Sequence, residues 1–288
     1  MVVIRRPKSV EEYRAIMDVM KSAWRMKDYT EAVPAHFIKS IDDNGGVVLV
    51  AEEDGRIVGF VLGIVGYKDG RIYHYSHMTG VVEEYKYRGI GFKLKLAQRK
   101  EVLKQGLDLI TWTFDPLQGL NARFNFAKLG VVCNKFYVNY YGEIRDGINV
   151  GMPTDRFKVE WWIKSQRVLK KIKGELPPPP LNEALKVGEL ITETIEVAPG
   201  IRKIISTKKP VEDVVIAEIP GDLNTVREYS LDLAIEWKLK MRKVFQELFE
   251  KSYIAFEVIT VKKPYRRNFY VFWREKLEKI LRGDVPWS

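Results

Sequence analysis

Two glycines, Gly89 and Gly91, open a strongly basic stretch of the sequence that reads Lys86-Tyr87-Arg88-Gly89-Ile90-Gly91. Residues 86–104 contain seven lysines and arginines and one acidic residue, Glu101. Backbone N–H groups at the start of a helix attract anions, and glycine lets the backbone approach a phosphate without a Cβ in the way. The pattern therefore indicates either a phosphate-binding loop that opens a helix or a tight turn before a solvated basic face. Charge alone favours neither.

The elements around this loop follow from periodicity and turn residues. The sequence predicts a strand at residues 2–7, and helices at 9–24 and 34–41. Residues 46–82 predict an antiparallel meander of three strands, because Asp54-Gly55 and Asp69-Gly70 separate β-branched and aromatic runs. A helix is expected at 90–105, ended by Gly106.

The rest of the chain is predicted as a continuation of the same mixed α/β pattern. Residues 107–114 and 132–142 read as strands, and 116–130 contain a helix that ends at Gly130. We expect these to complete an α/β unit (an α+β mixed sheet) over residues 1–150.

Residues 151–288 form a C-terminal α/β extension of unknown role. Its predicted elements are a strand at 153–163, an extended polyproline spacer at Pro177–Pro180, a strand at 214–220, one long helix at 222–250, and a strand pair at 252–261 and 268–275. The extension packs on the first unit or is a degenerate second copy of it.

Composition limits the class of protein. The chain has 288 residues, a net charge of +10 and one cysteine, so it forms no internal disulfide. Neither a secretory leader nor a bilayer-length apolar run is evident, so we expect a cytoplasmic protein that does not enter a membrane. Abundant Lys, Glu, Ile and Val fit a thermophile-like composition.

The loop in its setting resembles the acetyl-coenzyme A signature of the GNAT (Gcn5-related N-acetyltransferase) superfamily, Gln/Arg-x-x-Gly-x-Gly/Ala. Lys86 replaces the usual first residue of that signature, and the order of elements over residues 1–150 also matches. The resemblance implies a GNAT-like fold and acetyl-coenzyme A as co-substrate, with no metal.

The resemblance also implies which residues bind the cofactor. The strand end would pair with the pantetheine arm, the loop would hold the pyrophosphate, and Asn121 would touch pantetheine or, equally, cap a helix. Lys93 and Lys95 would meet the adenosine phosphate or remain solvated. The expected cofactor-binding residues are Gly80, Val81, Val82, Lys86, Tyr87, Arg88, Gly89, Ile90, Gly91, Phe92 and Asn121.

The catalytic groups are less well defined. Counting back from Gly130 puts Phe126 at the position of the family's usual tyrosine acid, and phenylalanine donates no proton. His77 is a candidate base that shares a strand face with Tyr75, although a packed histidine is the more frequent role. Tyr137, and also Tyr141, could supply a displaced acid or be aromatic core.

We therefore expect an acetyl-coenzyme A-dependent N-acyltransferase that acts on an amine by direct attack. The alternative is a coenzyme A-binding module with little or no catalysis and a C-terminal interaction domain. A third reading, nucleic-acid binding through the basic stretch, is weaker because the glycine loop already accounts for the charge. The acceptor, a small molecule or a protein, stays open, as does a homodimer.

Overall fold

The two Asp-Gly pairs form hairpin turns in the computed structural model, which describes residues 1–287. Asp54 and Gly55 have φ of 52° and 78°, and Asp69 and Gly70 have 53° and 76°. Positive φ at both central residues is typical of the tight turns that match the twist of paired strands. The predicted meander is confirmed as strands β2 (Val47–Glu53), β3 (Arg56–Lys68) and β4 (Arg71–Val81).

The chain divides into two compact units that differ from the predicted halves. The first unit contains Met1–Trp112 and Glu143–Gly151, and the second contains Thr113–Gly142 and residues 152–287. This division reflects which residues pack together. The predicted domains, residues 1–150 and 151–288 with separate roles, stay a prediction.

The first unit is a mixed sheet with three helices. Besides the meander, its elements are β1 (Val3–Arg5), α1 (Val10–Ala23), α2 (Ala35–Asp43), α3 (Ile90–Lys104) and β5 (Leu109–Phe114), which continues into the second unit. The strand order is β1-β2-β3-β4-β5. All neighbours are antiparallel except β4 and β5, which are parallel.

In the second unit the strands follow the order β7-β6-β12-β13-β11-β8 and are mostly antiparallel, and β9 and β10 form a separate hairpin. Its strands are β6 (Val132–Tyr137), β7 (Arg156–Trp162), β8 (Glu189–Leu190), β9 (Thr192–Ala198), β10 (Ile201–Thr207), β11 (Val214–Ile219), β12 (Ile254–Val261) and β13 (Arg267–Trp273). Its helices are α4 (Gly119–Arg123), a π-helical segment (Phe124–Leu129), α5 (Gln166–Lys173), α6 (Leu181–Ala184), α7 (Leu223–Tyr229), α8 (Leu231–Glu250) and α9 (Leu277–Arg282). The apolar core includes Phe256, Phe269 and Val271.

In the second unit one predicted element is wrong and one element was not predicted. Residues 222–250 are two helices, because Ser230 is extended (φ −159°, ψ 117°) and its hydroxyl accepts a hydrogen bond from the N–H of Leu233 at 3.2 Å. The serine thus caps α8 and ends α7. The β9-β10 hairpin was not predicted, although Pro199-Gly200 lies between its two strands.

The mixed α/β class is confirmed. Within residues 1–287, no helix has both the length and the apolar character needed to cross a membrane.

Candidate cofactor-binding site

The loop between β4 and α3 has an unusual backbone. A 3-10 turn (Glu83–Tyr85) follows β4, and then Tyr87 and Gly89 adopt φ of 66° and 80°. The left-handed conformation is unfavourable for a residue with a Cβ by roughly 1–2 kcal/mol. The side chain of Tyr87 is 84% exposed, so its packing does little to offset this strain. The strained conformation is therefore set by the chain around it, and such loops concentrate at ligand sites.

The start of α3 presents unpaired N–H groups. The first helical hydrogen bond runs from the N–H of Lys93 to the carbonyl of Gly89 at 3.1 Å, and no side chain caps the helix. The N–H groups of Ile90, Gly91 and Phe92 therefore have no acceptor within the helix. With the helix dipole, they form a site suited to an anion.

The two loop glycines are present for different reasons. Gly89 has positive φ, so the turn itself requires glycine there. Gly91 lacks positive φ, and a Cβ built on it meets no atom within 4 Å. Glycine in a helix is less stable than alanine by up to about 1 kcal/mol. Neither backbone conformation nor packing requires Gly91, and its bare backbone faces open space.

Gly80, by contrast, is explained by packing. A Cβ there would lie 2.8 Å from the ring of Trp24 and 2.9 Å from that of Phe60. The hydroxyl of Tyr29 donates to Asp18 at 2.5 Å. Trp24 and Tyr29 therefore both have contacts within the first unit.

The outer edge of β4 is open where the cofactor arm is expected. Its parallel pairing with β5 consists of His74↔Ile110 and Tyr75↔Thr111. Gly80 and Val81 pair with β3 on the other side. In the described part of the chain, residues 76–81 thus have no registered partner on the β5 side, so an extended ligand could pair with their main chain.

The basic residues of the loop have different surroundings. The ammonium of Lys86 lies 2.5 Å from the carboxylate of Glu83 and lowers the pKa of that carboxyl. The guanidinium of Arg88 lies over the ring of Tyr85 at 4.7 Å. Both residues are near the open N–H groups in sequence. Arg88 is stacked on a ring, and Lys86 would have to leave Glu83 to contact a phosphate.

Lys95 is not at the surface, so its expected contact with the adenosine phosphate is wrong. It is 3% exposed, and its ammonium donates to Ser76 Oγ at 2.9 Å and Gln98 Oε1 at 2.7 Å. It also lies 3.9 Å from the ring centroid of Trp112. Burial lowers the pKa of Lys95 well below its usual range. Lys93 is exposed, and its role stays a prediction.

His77 and Tyr75 share a strand face, as alternation predicts, with ring centroids 6.2 Å apart. The register of β3 with β4 passes from Leu62↔Met78 to Gly63↔Ser76, which leaves His77 without a β3 partner. Such a bulge redirects side chains and often lies beside an active site. The side chain of His77 is exposed, and the protein on the side of the ring that faces the sheet lowers its pKa by desolvation. It is therefore neutral near pH 7 and can accept a proton.

A second histidine of β4, His74, was not singled out from the sequence. It is fully buried, burial lowers its pKa to about 3, and its Nε2 lies 3.0 Å from Gln98 Nε2. It belongs to the buried polar group with Ser76, Lys95 and Gln98. Alternation along β4 puts His74 on the opposite face from His77, but nothing in the sequence identifies Lys95 as its buried neighbour.

The remaining predicted residues lie in the second unit. Phe126 is fully buried, with its ring centroid 6.3 Å from that of Phe114 and 5.4 Å from that of Tyr270. Asn121 is exposed within α4, whose N-cap is Gln118, so the helix-cap alternative is wrong. Tyr137 is half-buried against Tyr140 at 5.1 Å. The cofactor and catalytic roles of Asn121 and Tyr137 stay predictions.

A family model matches the first part of the chain. Residues 13–130 match the model of the acetyltransferase (GNAT) family. No curated protein matches the chain.

Similar solved structures include the ribosomal-protein-S18-alanine N-acetyltransferase of Escherichia coli (16% identity, 57% of this chain and 94% of that chain, TM-score 0.44). Others are Ard1 of Thermoplasma volcanium (16%, 55% and 95%, 0.41) and a GNAT family acetyltransferase of Brucella melitensis in complex with acetyl-CoA (22%, 44% and 82%, 0.36). The match to the family model is limited to residues 13–130.

Proposed function

Because residues 13–130 match the model of the acetyltransferase (GNAT) family, we propose that the protein is an acetyl-coenzyme A-dependent N-acyltransferase. It transfers an acetyl group to an amine by direct attack. The observation that carries the proposal is Gly91, a helical glycine that the fold does not require, beside N–H groups without acceptors.

The loop residues fit a coenzyme A diphosphate. The N–H groups of Ile90, Gly91 and Phe92 would donate to its oxygens, and the left-handed turn at Tyr87 and Gly89 brings the chain into position for this. Lys86 and Arg88 would add positive charge. The open edge at Gly80, Val81 and Val82 would pair with the pantetheine arm like an added strand.

The chemical step requires few groups. The amine nitrogen attacks the thioester carbonyl carbon, the C–S bond breaks, and the amine gives up a proton while the sulfur leaves as thiolate. His77, neutral because its pKa is lowered, would take the amine proton directly or through water. A thiol with a pKa of about 8.5 leaves without strong acid assistance. Tyr75 or Tyr137 would supply the sulfur's proton, and Phe126 does not.

The second candidate is a coenzyme A-binding module with little or no catalysis. Phe126 favours it, since the ring at the usual acid position is packed in the core of the second unit. Both candidates require coenzyme A binding, and they differ in turnover.

One pair of measurements tests the proposal. Calorimetric titration with acetyl-coenzyme A should give saturable binding, and a thiol-detection assay should record coenzyme A release when primary amines are added. The amines would include a polyamine, an aminoglycoside and peptides with free N-termini. Binding without release would leave the binding module, and absence of binding would refute both candidates.

A further inference from the structure

A groove in the second unit is lined by none of the residues that we assign to acetyl transfer. Its volume is about 380 Å³, within the size range of ligand sites. One wall is the polyproline segment and the other is the end of strand β12. The lining residues are Arg123, Pro178, Pro179, Pro180, Leu181, Val258, Ile259, Thr260, Val261 and Lys262.

The β12 wall is an incomplete sheet edge. Strand β12 pairs with β13 along its length, but with β6 only at Ala255↔Cys133. The N–H of Val258 donates to the carboxylate of Glu257 at 3.1 Å and therefore not to β13. Because backbone direction alternates along a strand, the N–H and C=O of Thr260 also face away from β13. Within residues 1–287, no strand pairs with this edge at Thr260.

The side chain of Thr260 supports the same register. Its hydroxyl donates to Asn268 Oδ1, its directly opposite partner, at 2.7 Å. Opposite side chains come closest in the pairs that do not exchange backbone hydrogen bonds. The backbone groups of Thr260 are thus available on the groove side.

The polyproline wall cannot complete the sheet. Proline has no N–H, so Pro178–Pro180 cannot form a strand ladder with β12. The wall instead offers apolar rings held in an extended conformation, of the kind that contacts extended peptides. An occupant between the two walls would hydrogen bond to one side and make apolar contact with the other.

The charge of the groove specifies the occupant further. Arg123 and Lys262 are its charged lining residues, and no carboxylate lines it. Neither makes an ion pair in the part of the chain that the structure describes. Long-range complementarity therefore favours a partner with negative charge.

We propose that this groove binds an extended peptide segment with carboxylate side chains, which adds as a strand to the free edge of β12. The C=O of Val258 and the N–H and C=O of Thr260 provide backbone hydrogen bonds, the prolines contact alternate side chains, and Arg123 and Lys262 bind the carboxylates. This is strand addition to a sheet edge, with basic residues selecting acidic sequences. It is independent of acetyl transfer.

The test uses fluorescence anisotropy with the full chain and labelled six-residue peptides. The first probe alternates valine and threonine and ends in two glutamates, and its control ends in two lysines. We expect the acidic probe to bind at least about tenfold more tightly at low salt. Equal affinities, or no binding of the acidic probe up to about 1 mM, would overturn the proposal.

Two further arms separate strand addition from general attraction to a basic protein. The double variant Arg123→Glu/Lys262→Glu should weaken the acidic probe at least about tenfold, whereas Lys27→Glu/Lys68→Glu, with the same change in net charge, should not. Two acidic probes would be N-methylated on alternate amides, one on the odd and one on the even residues. Because N–H groups alternate in direction along a strand, one probe should bind and the other should not. If both double variants lose the same affinity for the acidic probe, or if the two methylated probes bind equally well, the proposal is refuted. The methylated probes use the unaltered protein, so this arm does not depend on the folding of a variant.

Discussion

Replacing Gly91 with leucine should make the protein slightly more stable while weakening its binding of coenzyme A. A Cβ at position 91 meets no atom within 4 Å, and the residue lies at the second position of α3 without positive φ. The signature that the loop resembles has glycine or alanine at this position, so the test needs a side chain larger than a methyl group. Leucine should raise the free energy of unfolding by up to about 1 kcal/mol, because it is a better helix former than glycine. For a domain of this size that corresponds to roughly 2–4 °C in the melting temperature.

The leucine side chain would lie on the backbone surface that a diphosphate must approach. Oxygens accept from an N–H at about 2.9 Å, which leaves no room for a branched side chain between them and the start of the helix. We expect the dissociation constant for coenzyme A to rise at least about tenfold, equivalent to about 1.4 kcal/mol. Calorimetry measures the binding, and thermal melting without ligand measures the stability.

Gly89→Leu is the matched control. The φ of 80° at position 89 makes a Cβ unfavourable by roughly 1–2 kcal/mol, so this variant should lose stability and binding together. At position 91, by contrast, only binding should be lost. If Gly91→Leu binds coenzyme A as tightly as the parent, the loop does not hold the diphosphate. If Gly91→Leu loses stability, the fold itself requires glycine at position 91.

Three further predictions address the buried groups and the catalytic step. His77→Gln should lower kcat without changing the affinity for coenzyme A. The rate of the parent should fall below about pH 6.5, because the pKa of His77 is lowered and protonation removes the base. If the rate of the variant falls in acid in the same way, His77 is not the base. Lys95→Met should remove a pH dependence of the free energy of unfolding. Below about pH 10.4 the lysine of the unfolded chain binds a proton, whereas burial lowers the pKa of Lys95 in the folded protein, so chemical denaturation should show the parent gaining stability relative to the variant from pH 7 to 10. If the difference in stability between the two proteins is constant across that range, burial does not lower the pKa of Lys95. Phe126→Tyr should reduce the free energy of unfolding by about 1–3 kcal/mol, because its hydroxyl enters a packed aromatic core, and it should not raise kcat; a faster variant would show that the ring reaches the reacting sulfur.

The sequence predicted those parts of the fold that depend on local chemistry. The meander follows from Asp54-Gly55 and Asp69-Gly70, whose positive φ values the turns require. Helix α3 follows from the glycine-to-Gly106 spacing. The break at Ser230 was missed because a helical period continues across it, although serine is a common N-cap.

Burial of charged residues was harder to predict. Lys95 has the sequence setting of a solvated basic helix, and its partners Ser76 and Trp112 lie on two strands distant along the chain. Only the packing of α3 against β4 and β5 brings these acceptors together. Counting the basic residues of a helix in the sequence therefore overestimates the positive charge that a ligand can contact.

That overestimate bears on the loop itself. Of the basic residues near its start, Lys95 is buried, Lys86 is bound to Glu83 and Arg88 is stacked on Tyr85, whereas Lys93 is exposed. Anion binding at this loop thus depends chiefly on backbone N–H groups, which need no side-chain charge and retain their direction without a ligand. A site built on backbone donors has to be protected from side chains, so the residue that defines it is Gly91, which carries none.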